Sequence, residues 1–372
     1  MSESVAELDL EGVDDPISDG WGDYPLDSVF VRTETRTVSD VVHRIENHRY
    51  ILDPDFQREF VWSAEKQSKL IESCVMRIPL PVFYVAEAED GRIIVVDGLQ
   101  RLTTFARFLA DHLRLTGLSK GQATAAGTTL DGRMFSELPL NLQERVLDTQ
   151  LTMYILDAKA PERARLDIFE RVNSGEPLTR QQMRNALYSG PGTLWLKEAA
   201  ASSLFVAATG GALDRKAMRD REAINRFCAF KLLGRKSYTS GDMDTFLAQG
   251  LRRLTSLSDK EREFLRSGFD SALELNRELF GAHAFRRSLG SADPSPRRTP
   301  LNISLFEVCT VCMFGLSKSI VETSKMNLRD GLIKLIREDE RFKRAISYST
   351  NSTQPVADRF AALEKLVIEI GA

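Results

Sequence analysis

The stretch Ile93-Ile94-Val95-Val96-Asp97-Gly98-Leu99-Gln100-Arg101-Leu102-Thr103-Thr104-Phe105 decides the fold. Its first four residues are β-branched, fit a pleated sheet and resist helix, so they read as a strand buried on both faces. Asp97-Gly98 ends that strand. Beyond it, Leu99, Leu102, Phe105, Ala106 and Leu109 recur at three- and four-residue spacing, which is one apolar face of a helix. Gln100, Arg101 and Thr104 fall outside the stripe, near the helix start. The first N–H groups of a helix lack internal partners and carry the positive end of its dipole, so phosphate is favoured there. Gly98 lets a ligand approach the backbone closely. The same pattern also describes an ordinary strand-to-helix turn, with Asp97 as N-cap and Arg101 in solvent.

Working outward, Pro79 and Pro81 bound a strand over Val82 to Ala86, predicted to pair with Arg92 to Val96 across the Glu89-Asp90-Gly91 turn. Val38 to Ile45 reads as a short helix. In the segment from Tyr50 to Trp62, Phe56, Phe60 and Trp62 are core candidates. Gln57 and Arg58 sit among these apolar neighbours, where an unpaired guanidinium is costly, so Arg58 must reach a carboxylate, a phosphate or solvent. Residues 116–131 have the Gly, Ser, Thr and Ala content of a surface loop. Thr152 to Leu156 reads as a third strand, and Arg163 to Val172 as a helix that stops at Asn173-Ser174-Gly175 before another begins at Thr179. Asn173 reads equally as a left-handed helix cap or as a ligand contact. From residue 200 onward the pattern is helical: Glu222 to Leu233, Met243 to Leu257, Glu261 to Phe280, Leu301 to Leu316 and Val356 to Ile370.

A chain of 372 residues with 42% hydrophobic content can bury a large core, as two domains or as one with a long helical extension. No apolar run approaches bilayer length, and the N-terminus has neither the basic segment nor the apolar core of a signal peptide, which predicts a soluble, cytoplasmic protein with no membrane partner. Four scattered cysteines, Cys74, Cys228, Cys309 and Cys312, make no disulfide framework. Cys309-x-x-Cys312 has redox or zinc spacing, but it lies in an apolar helical run with no second pair and reads as core. The net charge of −3 hides an asymmetry: residues 1–28 carry nine acids and no Lys or Arg, leaving 50 basic against 44 acidic residues elsewhere. That tail is predicted to be disordered. As an alternative it occupies a basic groove as a nucleic-acid mimic.

Several of these pieces, in this order, resemble the N-terminal domain family of GmrSD-type restriction endonucleases. They are Phe56-Gln57-Arg58 with Trp62, Ile78-Pro79-Leu80-Pro81, Asp97-Gly98-Leu99-Gln100-Arg101-Leu102-Thr103-Thr104, Phe169 through Gly175, and Leu178 through Arg184-Asn185-Ala186-Leu187. The resemblance covers about residues 25–190, and Arg219-Asp220-Arg221-Glu222 with Arg226-Phe227 is similar to the helical continuation of many members. It implies an α+β fold with a small ParB/sulfiredoxin-like mixed sheet, followed by an all-helical C-terminal region. The expected domains are an acidic tail at 1–28, a nucleotide-binding domain at 29–190 and a helical domain at 191–372.

The resemblance further implies binding of a nucleoside triphosphate and its Mg²⁺-dependent hydrolysis, in anti-phage defence or DNA restriction. Carried over, Asp97, Gln100 and Arg101 are the catalytic candidates. Gln57, Arg58, Gly98, Arg101, Thr104 and Asn173 are the phosphate- or nucleotide-binding ones, with Asp97 as the Mg²⁺ ligand. Arg101 and Arg58 would hold phosphate oxygens, Asp97 the metal or the attacking water, and Gln100 would orient that water. The family most often has Gln where this chain has Leu99, whose place in the apolar stripe predicts that it faces the core. Larger members carry a C-terminal His-Asn-His nuclease. Only one of the four histidines here lies beyond residue 120, so no DNA cleavage by this chain alone is expected.

Two other readings stand beside this one. The first is a non-catalytic nucleotide- or DNA-binding module that regulates a separately encoded nuclease, with a homo-oligomer left open. The second is a DNA-binding protein whose Gln100-Arg101 helix contacts duplex phosphates. Arg286-Arg287 and Arg297-Arg298, around a Ser/Pro-rich loop, suit such contacts or form a solvated loop.

Overall fold

The computed structural model describes residues 31–52, 62–88, 90–118, 129–160, 164–168, 179–293, 295–316 and 318–371. They fall into two compact units, one ending at Leu187 and the other beginning at Tyr188. The acidic tail, Gln57 with Arg58, and Asn173 lie outside the described residues.

The first unit is built on a five-stranded mixed sheet: β1 (Val31–Thr37), β2 (Tyr50–Ile51), β3 (Phe83–Glu87), β4 (Ile93–Asp97) and β5 (Gln150–Leu156), in the order β1-β5-β3-β4-β2. The outer pair β1/β5 and the central pair β3/β4 are antiparallel, while β3/β5 and β2/β4 are parallel. Ile93, Ile94, Val95 and Val96 are all buried, as a β-branched run in the sheet interior requires. The alternate residues Phe83, Val85 and Val95 enter one apolar cluster with Val41 of α1 (Val38–Glu46), Ile71 of α2 (Ala64–Val75) and Leu102 and Phe105 of α3 (Leu99–Leu109). Thr37 and Ser63 cap α1 and α2 by accepting from Asp40 N and Lys66 N. Two further helices, α4 (Leu140–Leu147) and α5 (Arg180–Leu187), complete the regular elements of this unit that have defined bounds.

The second unit is helical. Its longer helices are α6 (Pro191–Ala201), α7 (Ser203–Thr209), α8 (Arg219–Leu233), α9 (Met243–Ser256), α10 (Asp259–Phe280), α11 (Ile303–Cys312), α12 (Lys318–Glu338), α13 (Glu340–Ala345) and α14 (Thr353–Gly371). They enclose a second apolar cluster in which the Phe227 and Phe269 rings meet at 4.5 Å. Cys309 is buried in that cluster and Cys312 packs against it. Burial pushes the Cys312 thiol up to about 12 and the Cys309 thiol higher still, so both are inert core thiols at neutral pH. Within α11, Glu307 is fully buried between two arginines. Arg359 donates its Nε to Oε1 at 2.8 Å, and Arg226 donates Nη1 to Oε2 at 3.4 Å. Among the described residues no helix is long and apolar enough to cross a membrane.

Candidate functional site

The strand-to-helix turn is formed by the last residue of β4, the linking Gly98 and the first turn of α3. Gly98 is the N-cap of α3, with φ +108 and ψ 6, and it offers no side-chain cap; Leu102 N donates to its carbonyl at 2.9 Å. Its left-handed conformation already favours glycine. A Cβ there would also meet the Phe83 ring at 2.3 Å, so the close approach at Gly98 is made by that ring.

Asp97 owes its direction to a register slip. Val85 pairs with Val95, but the next residue of β3, Tyr84, pairs with Asp97, so β4 carries one extra residue at Val96. Cross-strand partners share a face, and the slip therefore moves Asp97 from the apolar face of Val95 to the face of Tyr84. Tyr84 is also in register with Tyr154 of β5, and the two rings stack with centroids 5.4 Å apart. Thr33 of β1 pairs with Tyr154 in turn. A row of Thr33, Tyr154, Tyr84 and Asp97 thus crosses the sheet, with both tyrosines half-buried and the Asp97 side chain 43% exposed.

Arg101 lies one helical turn beyond Asp97 and donates Nη2 to Asp97 Oδ2 at 2.9 Å and to the Val82 carbonyl at 3.1 Å. Its Nη1 donates to the Pro81 carbonyl, and the guanidinium lies over the Phe83 ring, 4.1 Å from its centroid. The residue is 8% exposed. Burial draws Arg101 below its ordinary pKa, against the opposing pull of the Asp97 carboxylate. The guanidinium that the sequence assigns to phosphate oxygens is here engaged by protein acceptors, because two carbonyls at the start of β3 and a ring face lie within its reach. Asp97 does not cap α3; its carboxylate takes Arg101 instead.

Gln100 Oε1 accepts from Trp62 N at 3.3 Å, which joins the end of the Phe56–Trp62 motif to this turn. Trp62 is in turn held by Gln67, whose Nε2 donates to its carbonyl at 2.9 Å, and by Lys66, whose Nζ lies 4.6 Å from the indole centroid. Thr104 is buried and donates Oγ1 to the Gln100 carbonyl at 2.7 Å, so it braces the first turn of α3. Leu99 is buried in the core cluster, as its place in the apolar stripe predicts. The residues that sequence reasoning missed are Phe83, Tyr84 and Tyr154. Their only local signal is an aromatic at successive positions of β3 and an aromatic at an alternate position of β5.

Farther along the unit, α5 buries a polar set in which Arg184 Nη1 donates to Gln181 Oε1 at 3.1 Å and Gln181 Nε2 to Asn185 Oδ1 at 2.9 Å. Arg180 Nη2 pairs with Asp167 Oδ1 at 3.0 Å. These are the residues of the Leu178–Leu187 motif. Among the described residues no group of three or more His, Cys, Asp or Glu side chains is arranged to hold a metal ion.

Residues 38–189 match the family model of the GmrSD restriction endonuclease, N-terminal domain. The match runs from α1 to α5, leaving out β1, and includes the Asp97 turn, which bears out the resemblance carried by the motifs. No curated protein matches the chain.

Proposed function

We propose that this protein binds a nucleoside triphosphate at the Asp97–Arg101 turn and hydrolyses it with Mg²⁺, in the service of DNA restriction or anti-phage defence. The observation that carries the reading is Asp97 itself. It is a carboxylate at the carboxyl end of a central strand, turned by a β-bulge onto the open side of Tyr84 and held there by a buried arginine. The restriction-endonuclease match over residues 38–189 supplies the biological setting.

The residues present suit Mg²⁺. One oxygen of Asp97 is taken by Arg101, while the exposed carboxylate keeps Oδ1 for a metal or its water. Mg²⁺ in phosphate sites is commonly held by one or two carboxylates plus phosphate oxygens and water, so a three-residue protein cage is not needed. When bound, the ion would neutralise charge on the transferring phosphoryl group.

Each side chain then has a distinct task. Arg101 is a positioning residue: it fixes the rotamer of Asp97 and ties it to the Pro81–Val82 segment. The first-turn N–H groups of α3 face anionic oxygens with the favourable end of the helix dipole. Gln100 orients water beside them. Gln57, Arg58 and Asn173 are the proposed ligand contacts from outside the described residues. The stacked Tyr84 and Tyr154 rings, in the same cross-sheet row as Asp97, offer a flat surface on which a base can lie.

The test is phosphate release by the full chain with ATP, GTP and CTP in turn, with Mg²⁺ and with or without DNA, alongside Asp97→Asn. The expected result is turnover with one nucleotide, reduced at least about tenfold in Asp97→Asn at an unchanged melting temperature, the loss of a positioned charge in phosphoryl transfer costing that much or more. Turnover that survives the substitution would overturn the site. Tight nucleotide binding without turnover would replace hydrolysis by the module that signals to a separate nuclease.

A further inference from the structure

The second unit carries a surface whose charge nothing described so far uses. Residues 286–301 form a loop closed at its base: Arg286 and Leu301 make an antiparallel bridge, Asn302 N donates to the Phe285 carbonyl at 2.9 Å, and Ser288 N donates to Thr299 Oγ1 at 3.1 Å. Compact loops with closed ends of this length are frequently functional. This one contains Arg286, Arg287, Arg297 and Arg298 against a single acid, Asp293, which accepts from Ser295 N at 2.9 Å within its own turn.

Two arginines form a rigid base. Arg286 is 3% exposed and donates Nη1 to the Thr299 carbonyl at 2.7 Å and Nη2 to the Thr209 carbonyl at 2.9 Å, joining the loop to the end of α7. Arg337 of α12 donates Nε to the Gly290 carbonyl at 3.1 Å and Nη2 to the Ser291 carbonyl at 2.8 Å. Carbonyls satisfy the hydrogen bonds of a guanidinium without neutralising its charge. Above this base, Arg297 and Arg298 are exposed. Arg298 Nη1 and Arg286 Nη2 lie 3.3 and 3.6 Å from the point where a Cβ on Gly210 would sit, so two like charges share the space beside that glycine. Burial, and then Arg298, draw Arg286 below its ordinary pKa.

Several other arginines of this unit meet carboxylates. Arg235 meets Glu364 at 2.9 Å, Arg266 meets Asp270 at 2.9 Å, and Arg226 and Arg359 share Glu307. Among the described residues, none of Arg286, Arg297, Arg298 and Arg337 meets a carboxylate. Bringing guanidiniums together without counter-charge is unfavourable unless an anion completes the set, and arginine forks match phosphate oxygens in geometry as well as charge.

We propose that this loop is a docking surface for the phosphodiester backbone of duplex DNA, contacted by Arg297 and Arg298 and braced by Arg286 and Arg337. The contacts are to phosphates, so they add affinity and position the duplex without reading its sequence. The surface is independent of the Asp97 turn and does not rest on nucleotide hydrolysis.

The experiment measures duplex DNA binding by the full chain across a salt series, comparing wild type, Arg297→Ser with Arg298→Ser, and Arg341→Ser with Lys343→Ser. The last pair removes the same charge from the same unit, but its residues are already matched by Asp358 and Glu340. The expected result is a salt slope shallower by about two for the loop variant and affinity at least about tenfold weaker at low salt, from the loss of two phosphate contacts. The control variant should keep the wild-type slope, and both should keep the wild-type melting temperature and nucleotide affinity. Equal slopes in the two variants, or no DNA binding by wild type at low salt, would overturn the proposal. So would a loop variant that loses only nucleotide affinity, which would assign the arginines to free phosphates; a failure of hydrolysis at Asp97 leaves all these outcomes readable.

Discussion

Asp97 meets Arg101 with its carboxyl 43% exposed, whereas Glu307 meets Arg226 and Arg359 with no exposure at all. In the first pair the arginine is the buried member and one carboxylate oxygen takes its hydrogen bond. In the second, both carboxylate oxygens face guanidiniums, and Arg359 also donates to the Thr350 carbonyl at 2.6 Å. Burial alone would depress Arg226, but Glu307 and Glu222 more than offset it, and its pKa is raised. A carboxylate enclosed by cations in the interior is committed to structure. One held by a single buried cation at the rim keeps an oxygen that the arginine does not take.

Substitution at Glu307 tests the structural half of that contrast with the largest effect. Glu307→Gln leaves the buried Arg359 without a counter-charge and Arg226 with only Glu222, at 3.7 Å, and is expected to cost about 3–5 kcal/mol. It would appear as a lower urea midpoint at an unchanged denaturant slope. Replacing the set together, as Glu307→Met with Arg226→Met and Arg359→Leu, should recover much of the loss, since well-packed apolar groups often replace buried ion sets without penalty. A loss below about 1 kcal/mol in Glu307→Gln would place this cluster with solvent-screened pairs such as Asp97–Arg101.

At the rim, the geometry rests on Gly98. Gly98→Ala meets both an unfavourable φ of +108 and the Phe83 ring at 2.3 Å, with an expected cost of about 2–4 kcal/mol. Pairing it with Phe83→Leu separates the two causes, because the smaller side chain relieves the contact and leaves the backbone strain. A coupling energy of about 1 kcal/mol or more between the two substitutions is expected in a double-mutant cycle. Strict additivity would mean that another neighbour excludes the Cβ, and that Phe83 does not shape the turn.

The sheet centre and the start of α3 were legible because β-branched runs and apolar stripes are local signals. The predicted hairpin, the strand at Thr152–Leu156, the helix at Val38–Ile45 and five C-terminal helices appear within a few residues of their expected bounds. Strand β1, Val-Arg-Thr-Glu-Thr-Arg-Thr, escaped notice because an edge strand with mostly polar side chains shows little apolar alternation. Helix α12 escaped because its apolar residues are diluted by charged ones on its outer face. The site was legible as a turn and illegible as a geometry. The bulge at Val96 depends on what β3 offers as a partner, and the inward course of Arg101 depends on carbonyls about twenty residues away, neither of which a local spacing records.

Asp220, at the start of α8, lies between the two extremes and yields the smallest effect. It is 4% exposed like Glu307, but its nearest guanidinium, Arg215 Nε, stands 3.8 Å away, and its firmest bond is from Arg221 N at 2.8 Å. Burial raises its pKa, against the pull of the Arg221 amide and of the Arg221 and Arg215 charges. Above its ordinary value of 3.8, the unfolded chain therefore releases this proton while the native chain still holds it. Fewer protons are then bound in the unfolded state, so this residue's contribution to stability falls as pH rises and levels off once the native carboxyl has ionised. Asp220→Asn keeps an oxygen for the Arg221 amide and abolishes the titration. Its melting temperature relative to wild type should rise with pH from about pH 4 and then reach a plateau. Parallel curves for the two proteins across that range would show that Arg215 and one amide compensate a buried charge as fully as two arginines do, and the distinction between Glu307 and Asp97 would then rest on exposure alone.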